Sequence, residues 1–193
     1  MKTKFKGIKT AAEYKRGEIT WDILRLVGAG VVIGTAIVAP NVVQVLDMFD
    51  PKGRAQRNKI WKAIKYLEEQ ERVEIEEING ERVIKLTRKG KIALDDLAID
   101  ELQVDNPSLW DRKWRVVLFD IPMHKSRTRV PFREKIQDLG LEMYQKSVFV
   151  YPYECRHEVM AVAEFYGVRE YVCYMTVEQM SNMREFVRKF DLL

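Results

Sequence analysis

Residues 114–122 read WRVVLFDIP, an almost unbroken apolar run that ends in one carboxylate, Asp120, and a turn stiffened by Ile121-Pro122. Apolar residues without alternation over that length predict a central strand covered on at least one face. The segments after it set the rest of the domain. Thr128 is placed to cap a helix that tolerates Pro131 in its first turn, with Phe132, Ile136 and Leu139 as its buried stripe and Gly140 as its stop. LEMYQKSVFVYPY, residues 141–153, predicts a second strand region with a turn near Gln145 to Ser147. A helix from about Cys155 to Tyr166 closed by Gly167, a strand from Arg169 to Thr176, and a helix marked by Met180, Met183, Val187 and Phe190 complete the pattern. The order is β-α-β-β-α-β with a tail helix, a ferredoxin-like sandwich over residues 112–193.

Upstream the pattern changes. Residues 72–78 and 81–87 are β-branched runs joined by Asn79-Gly80, and Asn-Gly supplies the positive φ angles of a two-residue hairpin. Before them, Ile60, Ala63, Ile64 and Leu67 recur at helical spacing between Arg54 and Gln70, which leaves Arg54, Asn58, Lys62 and Lys65 on the opposite face. A helix pair, a basic amphipathic helix and a hairpin carrying Arg82, Lys85 and Arg88 is the order of a winged helix-turn-helix, expected here over residues 20–94. In that arrangement the third helix enters the major groove of double-stranded DNA. The candidate DNA contacts are therefore Arg54, Arg57, Asn58, Lys62, Lys65, Arg82, Lys85 and Arg88. The fold class expected for the whole chain is α+β.

The charge pattern points the same way. A net charge of +4 is modest for 193 residues, but the cations are unevenly spread. Lys2, Lys4, Lys6, Lys9, Lys15 and Arg16 form a basic arm in residues 1–19. Lys52 to Lys65 holds six cations and no acid, and a third cluster runs from Arg82 to Lys91. Residues 95–111 are acidic and contain Asn106-Pro107, as expected of a short helix followed by a linker. A charge run is also the ordinary composition of a solvated face, so clustering alone does not establish a DNA site.

LVGAGVVIGTAIVAPNVVQVL, residues 26–46, carries no charge and is about long enough to cross a bilayer. Pro40-Asn41 and Gln44 argue against insertion, and the flanking cations give no orientation. The favoured expectation is two buried helices, about Trp21 to Ala39 and Asn41 to Phe49, broken at Pro40; a membrane-tethered regulator is the alternative. Cys155 and Cys173 form no CxxC pair and suit a reduced, cytoplasmic protein. Cys155-Arg156-His157 and His124 lack the paired spacing of a zinc site.

Several motifs carry a resemblance: Trp110-Asp111-x-x-Trp114-Arg115, Phe119-Asp120-Ile121-Pro122, Arg127 and Arg129 with Arg133, Leu139-Gly140, and Gln145 to Pro152. Together they resemble the middle domain of PaaX-type transcriptional repressors. That domain is similar to the small CRISPR-associated endonuclease Cas-two, whose strand-end acid and Q-x-S-V-F hairpin match Asp120 and Gln145 to Phe149. The resemblance covers about Trp110 to Val177, with weaker agreement in the winged-helix region. It implies a DNA-binding transcriptional regulator, with no cofactor, that pairs as a homodimer through the ferredoxin-like domain. PaaX-type proteins usually carry a further C-terminal domain, so their ligand sensing is not part of the expectation.

Two readings of Asp120 are open. In the endonuclease family the matching acid is held to bind a divalent metal between two subunits, and Mg or Mn at Asp120 would suit phosphodiester hydrolysis by a CRISPR-adaptation nuclease. Yet one carboxylate per chain is a thin site, and the other reading has Asp120 accepting hydrogen bonds from loop amides, Arg127 or Arg129. No phosphate-cradling glycine loop and no Gly-x-Ser-x-Gly elbow is present.

Overall fold

A computed structural model describes residues 18–33, 36–107 and 109–192. The basic arm, apart from its last two residues, lies outside the described residues. The chain divides into two compact units between Leu97 and Ala98.

In the first unit α1 (Glu18–Ala29) buries Ile19, Ile23, Leu24, Leu26 and Val27 along one face. It ends at Gly30, whose φ of 69° the helix cannot continue. The expected helix to Ala39 is not formed: β1 (Val31–Ile33) and β2 (Ala36–Val38) pair antiparallel, Val31 opposite Val38. Val, Ile and Thr dominate this stretch and prefer strand to helix once a glycine has broken the ladder. The second expected helix is present as α2 (Val42–Met48). Asn41 and Gln44 close a capping box at its start, each side chain taking the other's backbone N–H, at 2.8 and 3.0 Å.

α3 (Arg54–Glu69) follows Gly53 and buries Ile60, Ala63, Ile64 and Leu67 as its spacing predicts. β3 (Val73–Ile78) and β4 (Glu81–Leu86) form the hairpin, with positive φ at both Asn79 and Gly80. Asn41 bridges Val83, and the Ile84 amide donates to the Pro40 carbonyl at 2.9 Å, so the entry to α2 lies along β4. α4 (Arg88–Asp100) begins earlier than the expected acidic helix. Thr87 caps it, accepting the Gly90 amide at 3.0 Å. Arg88 is therefore the first residue of a helix and not part of the hairpin. Gly90 approaches the Arg72 carbonyl so closely that a Cβ there would fall 1.8 Å from the oxygen.

The second unit is a four-stranded antiparallel sheet, ordered β6-β7-β5-β8, formed by β5 (Trp114–Phe119), β6 (Glu142–Gln145), β7 (Val148–Tyr151) and β8 (Val172–Val177). With α5 (Ser126–Asp138) after β5 and α6 (Arg156–Phe165) after β7, the order is the β-α-β-β-α-β read from the sequence. Two local details differ. α5 starts two residues before Thr128, whose hydroxyl donates to the Lys125 carbonyl, and Pro131 sits in the helix interior. A short 3-10 turn over Arg169–Tyr171 delays the last strand to Val172. β5 is buried on both faces. Val117 and Phe119 join the core under α5 and α6, while Trp114 and Val116 meet Phe186 of α7 (Met183–Lys189). Met180 lies before α7 and packs on that same patch.

Candidate nucleic-acid interface

The side of α3 away from the core is exposed at Arg54, Arg57, Asn58, Lys62 and Lys65. Helical spacing puts Arg54, Asn58, Lys62 and Lys65 within one stripe about 80° wide at 100° per residue. Their charges are not equally free. Lys65 is tied to Glu68 at 2.6 Å, and Arg57 stands 3.9 Å from Asp47. Arg54 and Lys62 have no carboxylate within ion-pair distance among the described residues. Both can be neutralised by an external anion without first breaking an internal pair.

The hairpin is different. Arg82 is exposed near the turn, opposite Glu77, whereas Lys85 pairs with Glu76 across the strands. β3 and β4 together carry Glu74, Glu76, Glu77 and Glu81 against two cations, so the hairpin surface is acidic on balance. Arg88 is exposed at the start of α4, apart from both groups in the chain order of elements.

Two contributors to this surface escape a search for cations. Trp61 is half-buried on the stripe, three residues after Asn58, and Lys65 Nζ lies 5.5 Å from its ring centroid. Val43, on α2, is 62% exposed. The signal for Trp61 is its position in the stripe itself; Val43 carries none, because α2 has to be placed against α3 first.

Asp120 is exposed at the end of β5, where its amide donates to the Tyr171 carbonyl at 3.0 Å. Its carboxylate has no hydrogen bond or ion pair among the described residues. Arg129 instead donates to the Ile121 carbonyl. Among the described residues no three His, Cys, Asp or Glu side chains gather to hold a metal. Mg or Mn binds through several oxygens, and one Asp120 carboxylate per chain supplies only part of such a set, the rest of which a second copy would have to provide.

The motif around Trp110 to Arg115 is a clamp. Arg115 is buried and grips both Asp111 oxygens at 2.7 and 2.8 Å, reaches Glu154 at 3.4 Å, and donates to the carbonyls of Lys113 and Pro152. The Arg115 hydrogen bond holds Asp111 below its ordinary 3.8. Burial pushes Glu154 upward, but hydrogen bonds from Tyr174, the Arg156 amide and Arg115 outweigh it and leave the carboxyl lowered. Trp110 and Trp114 meet edge to face with centroids 5.0 Å apart. Close by, the buried Cys155 thiol is pushed up to about 12, chiefly by burial, and stays protonated. His124 and His157 are exposed and join no cluster.

No helix among the described residues is long and apolar enough to cross a membrane. The apolar stretch of residues 26–46 is divided among α1, the β1–β2 hairpin and α2.

Residues 107–187 match the family model described as the PaaX protein central Cas2-like domain. No curated protein matches the chain.

Proposed function

We propose, from the match of residues 107–187 to the PaaX central-domain model, that the protein is a PaaX-like, DNA-binding transcriptional regulator whose first unit is a winged helix-turn-helix. α3 is its recognition helix. Arg54, Lys62 and, in part, Arg57 and Lys65 neutralise phosphates, while Asn58 has the donor and acceptor pair that suits an adenine edge. The observation that carries the reading is the exposed stripe on α3 with two cations that meet no carboxylate among the described residues. The β-hairpin is the wing, and the Pro40–Asn41 segment beside β4 completes its small sheet. Arg82 at the wing tip reaches the backbone; Lys85, shared with Glu76, contributes less. Arg88, at the α4 N-terminus, is a further backbone contact.

The protein acts as a homodimer paired through the second unit. Met143 and Met175, exposed on the outermost strands β6 and β8, support that role for its surface. Two recognition helices facing one side of the duplex would read half-sites about one helical turn apart. A gel-shift titration with salt tests the DNA reading: log affinity should fall linearly with log salt. Affinity that ignores salt, together with a monomer in sedimentation equilibrium at binding concentrations, would count against the whole proposal.

A further inference from the structure

The α3 surface is not uniformly polar. One side of Trp61 packs on the core of the first unit, and the other opens into a groove of about 520 Å³ bordered by Asn41, Val42, Val43, Gly80, Glu81 and Arg82. Among the described residues of the first unit, Val43 is the most exposed large hydrophobic side chain. The groove is thus apolar on the walls made by Trp61, Val42 and Val43. Two cations stand at it: Arg82 borders it on the hairpin side, and Lys65 Nζ lies 5.5 Å from the Trp61 ring on α3, the helix that also exposes Arg54 and Lys62. Glu81 also borders it, but its carboxylate accepts the Asn41 amide at 2.9 Å. Lys65 stacked over the indole keeps Trp61 in place.

A groove with apolar walls and cations beside it suits a partner that is anionic at its rim and locally apolar inside. A lipid surface or an acidic protein has one of these properties without the regular spacing of the other. The DNA major groove has both: phosphates line its edges, and thymine alone among the bases presents a methyl group there. We propose that Trp61 and Val43 select the binding site by seating a thymine 5-methyl group in this groove. The proposal rests on the DNA-binding reading above and adds to it the base that is read and the residues that read it. Apolar contact gives what the cations cannot, because phosphate contacts fix register but carry no sequence. Trp61 and Val43 are then specificity determinants, and Arg54 and Lys62 supply affinity.

The test starts from duplexes that the purified protein selects from random DNA. Each thymine of the selected site is replaced by uracil, which removes the methyl and leaves the pairing. At one or two positions per half-site the protein should bind about fourfold more weakly, the factor expected for burying one methyl-sized group. Val43→Ser should bind thymine and uracil duplexes alike, and its high exposure means that the substitution leaves the fold intact. Trp61→Leu, which keeps an apolar side chain on the core, should lose the same discrimination. Salt-dependent binding that is indifferent to uracil at every thymine, or discrimination retained in full by Val43→Ser, overturns the proposal and leaves the DNA-binding reading standing. A protein that binds no duplex overturns both.

Discussion

Cations that look equivalent in the sequence should differ in their contribution to the salt dependence of DNA binding, and the ion pairs rank them. Each phosphate neutralised changes the slope of log affinity against log salt by about 0.9. Arg54 and Lys62 meet no carboxylate among the described residues, so Arg54→Ala with Lys62→Ala should remove about 1.8 from the slope of each bound protomer. Between about 50 and 200 mM salt, a fourfold change, that corresponds to a factor of about 12 in affinity. Lys85 is shared with Glu76 on a hairpin richer in acid than base, and Lys85→Ala should leave the slope within about 0.3 of the parent. Lys65, held by Glu68 at 2.6 Å, should fall between these limits. Fluorescence anisotropy with a labelled duplex at four or more salt concentrations reads the slopes directly. Equal losses from Lys85→Ala and Lys62→Ala would refute the ranking, and an unchanged slope in the double variant would refute the role of α3.

Other expectations concern the stability and packing of each unit. Arg115→Lys replaces a two-pronged grip on Asp111 with a point charge and should cost about 2 kcal/mol in urea unfolding; a loss under about 0.5 kcal/mol would show that the clamp is dispensable. Because the folded Asp111 and Glu154 carboxyls are both lowered, their stabilisation is present above the unfolded values and lost as pH falls through the folded ones. Acid unfolding below about pH 4 should therefore be less steep in Arg115→Met than in the parent. Gly90→Ala drives a methyl into the Arg72 carbonyl and should destabilise the first unit by about 2 kcal/mol or more, visible as a lower melting temperature. A thiol reagent should modify the exposed Cys173 in the native protein and the buried Cys155 only after denaturation; rapid native labelling of both would contradict the burial of Cys155.

Local signals make much of this architecture legible. Asn79-Gly80 announces its hairpin because two adjacent positive φ angles leave few alternatives, and Trp114 to Phe119 announces a central strand because no polar residue interrupts it except Arg115. That arginine is the exception that shows the limit. Its burial depends on Asp111, Glu154 and the Pro152 carbonyl, which the fold brings together from separate segments. The β1–β2 hairpin is not legible, because an apolar run has no period to distinguish strand from buried helix, and Pro40 is the obvious break in the sequence whereas Gly30 is the effective one. On the candidate surface, the α3 stripe follows from helical geometry alone. The neutralisation of Lys85 does not, because Glu76 meets it only in the paired register of the hairpin. The sequence leaves two readings of Asp120 open, metal ligand or acceptor for loop amides, Arg127 or Arg129, and where Arg129 goes is a three-dimensional property: it donates to the Ile121 carbonyl instead.

Charge reversal on α3 addresses the central claim most directly. Arg54→Glu with Lys62→Glu changes two exposed side chains that make no ion pair among the described residues, so the melting temperature should stay within about 2 °C of the parent. Binding to the selected duplex at low salt should be lost. A folded double variant that still binds with the parent's affinity would contradict the account, because α3 could not then be the surface that meets DNA.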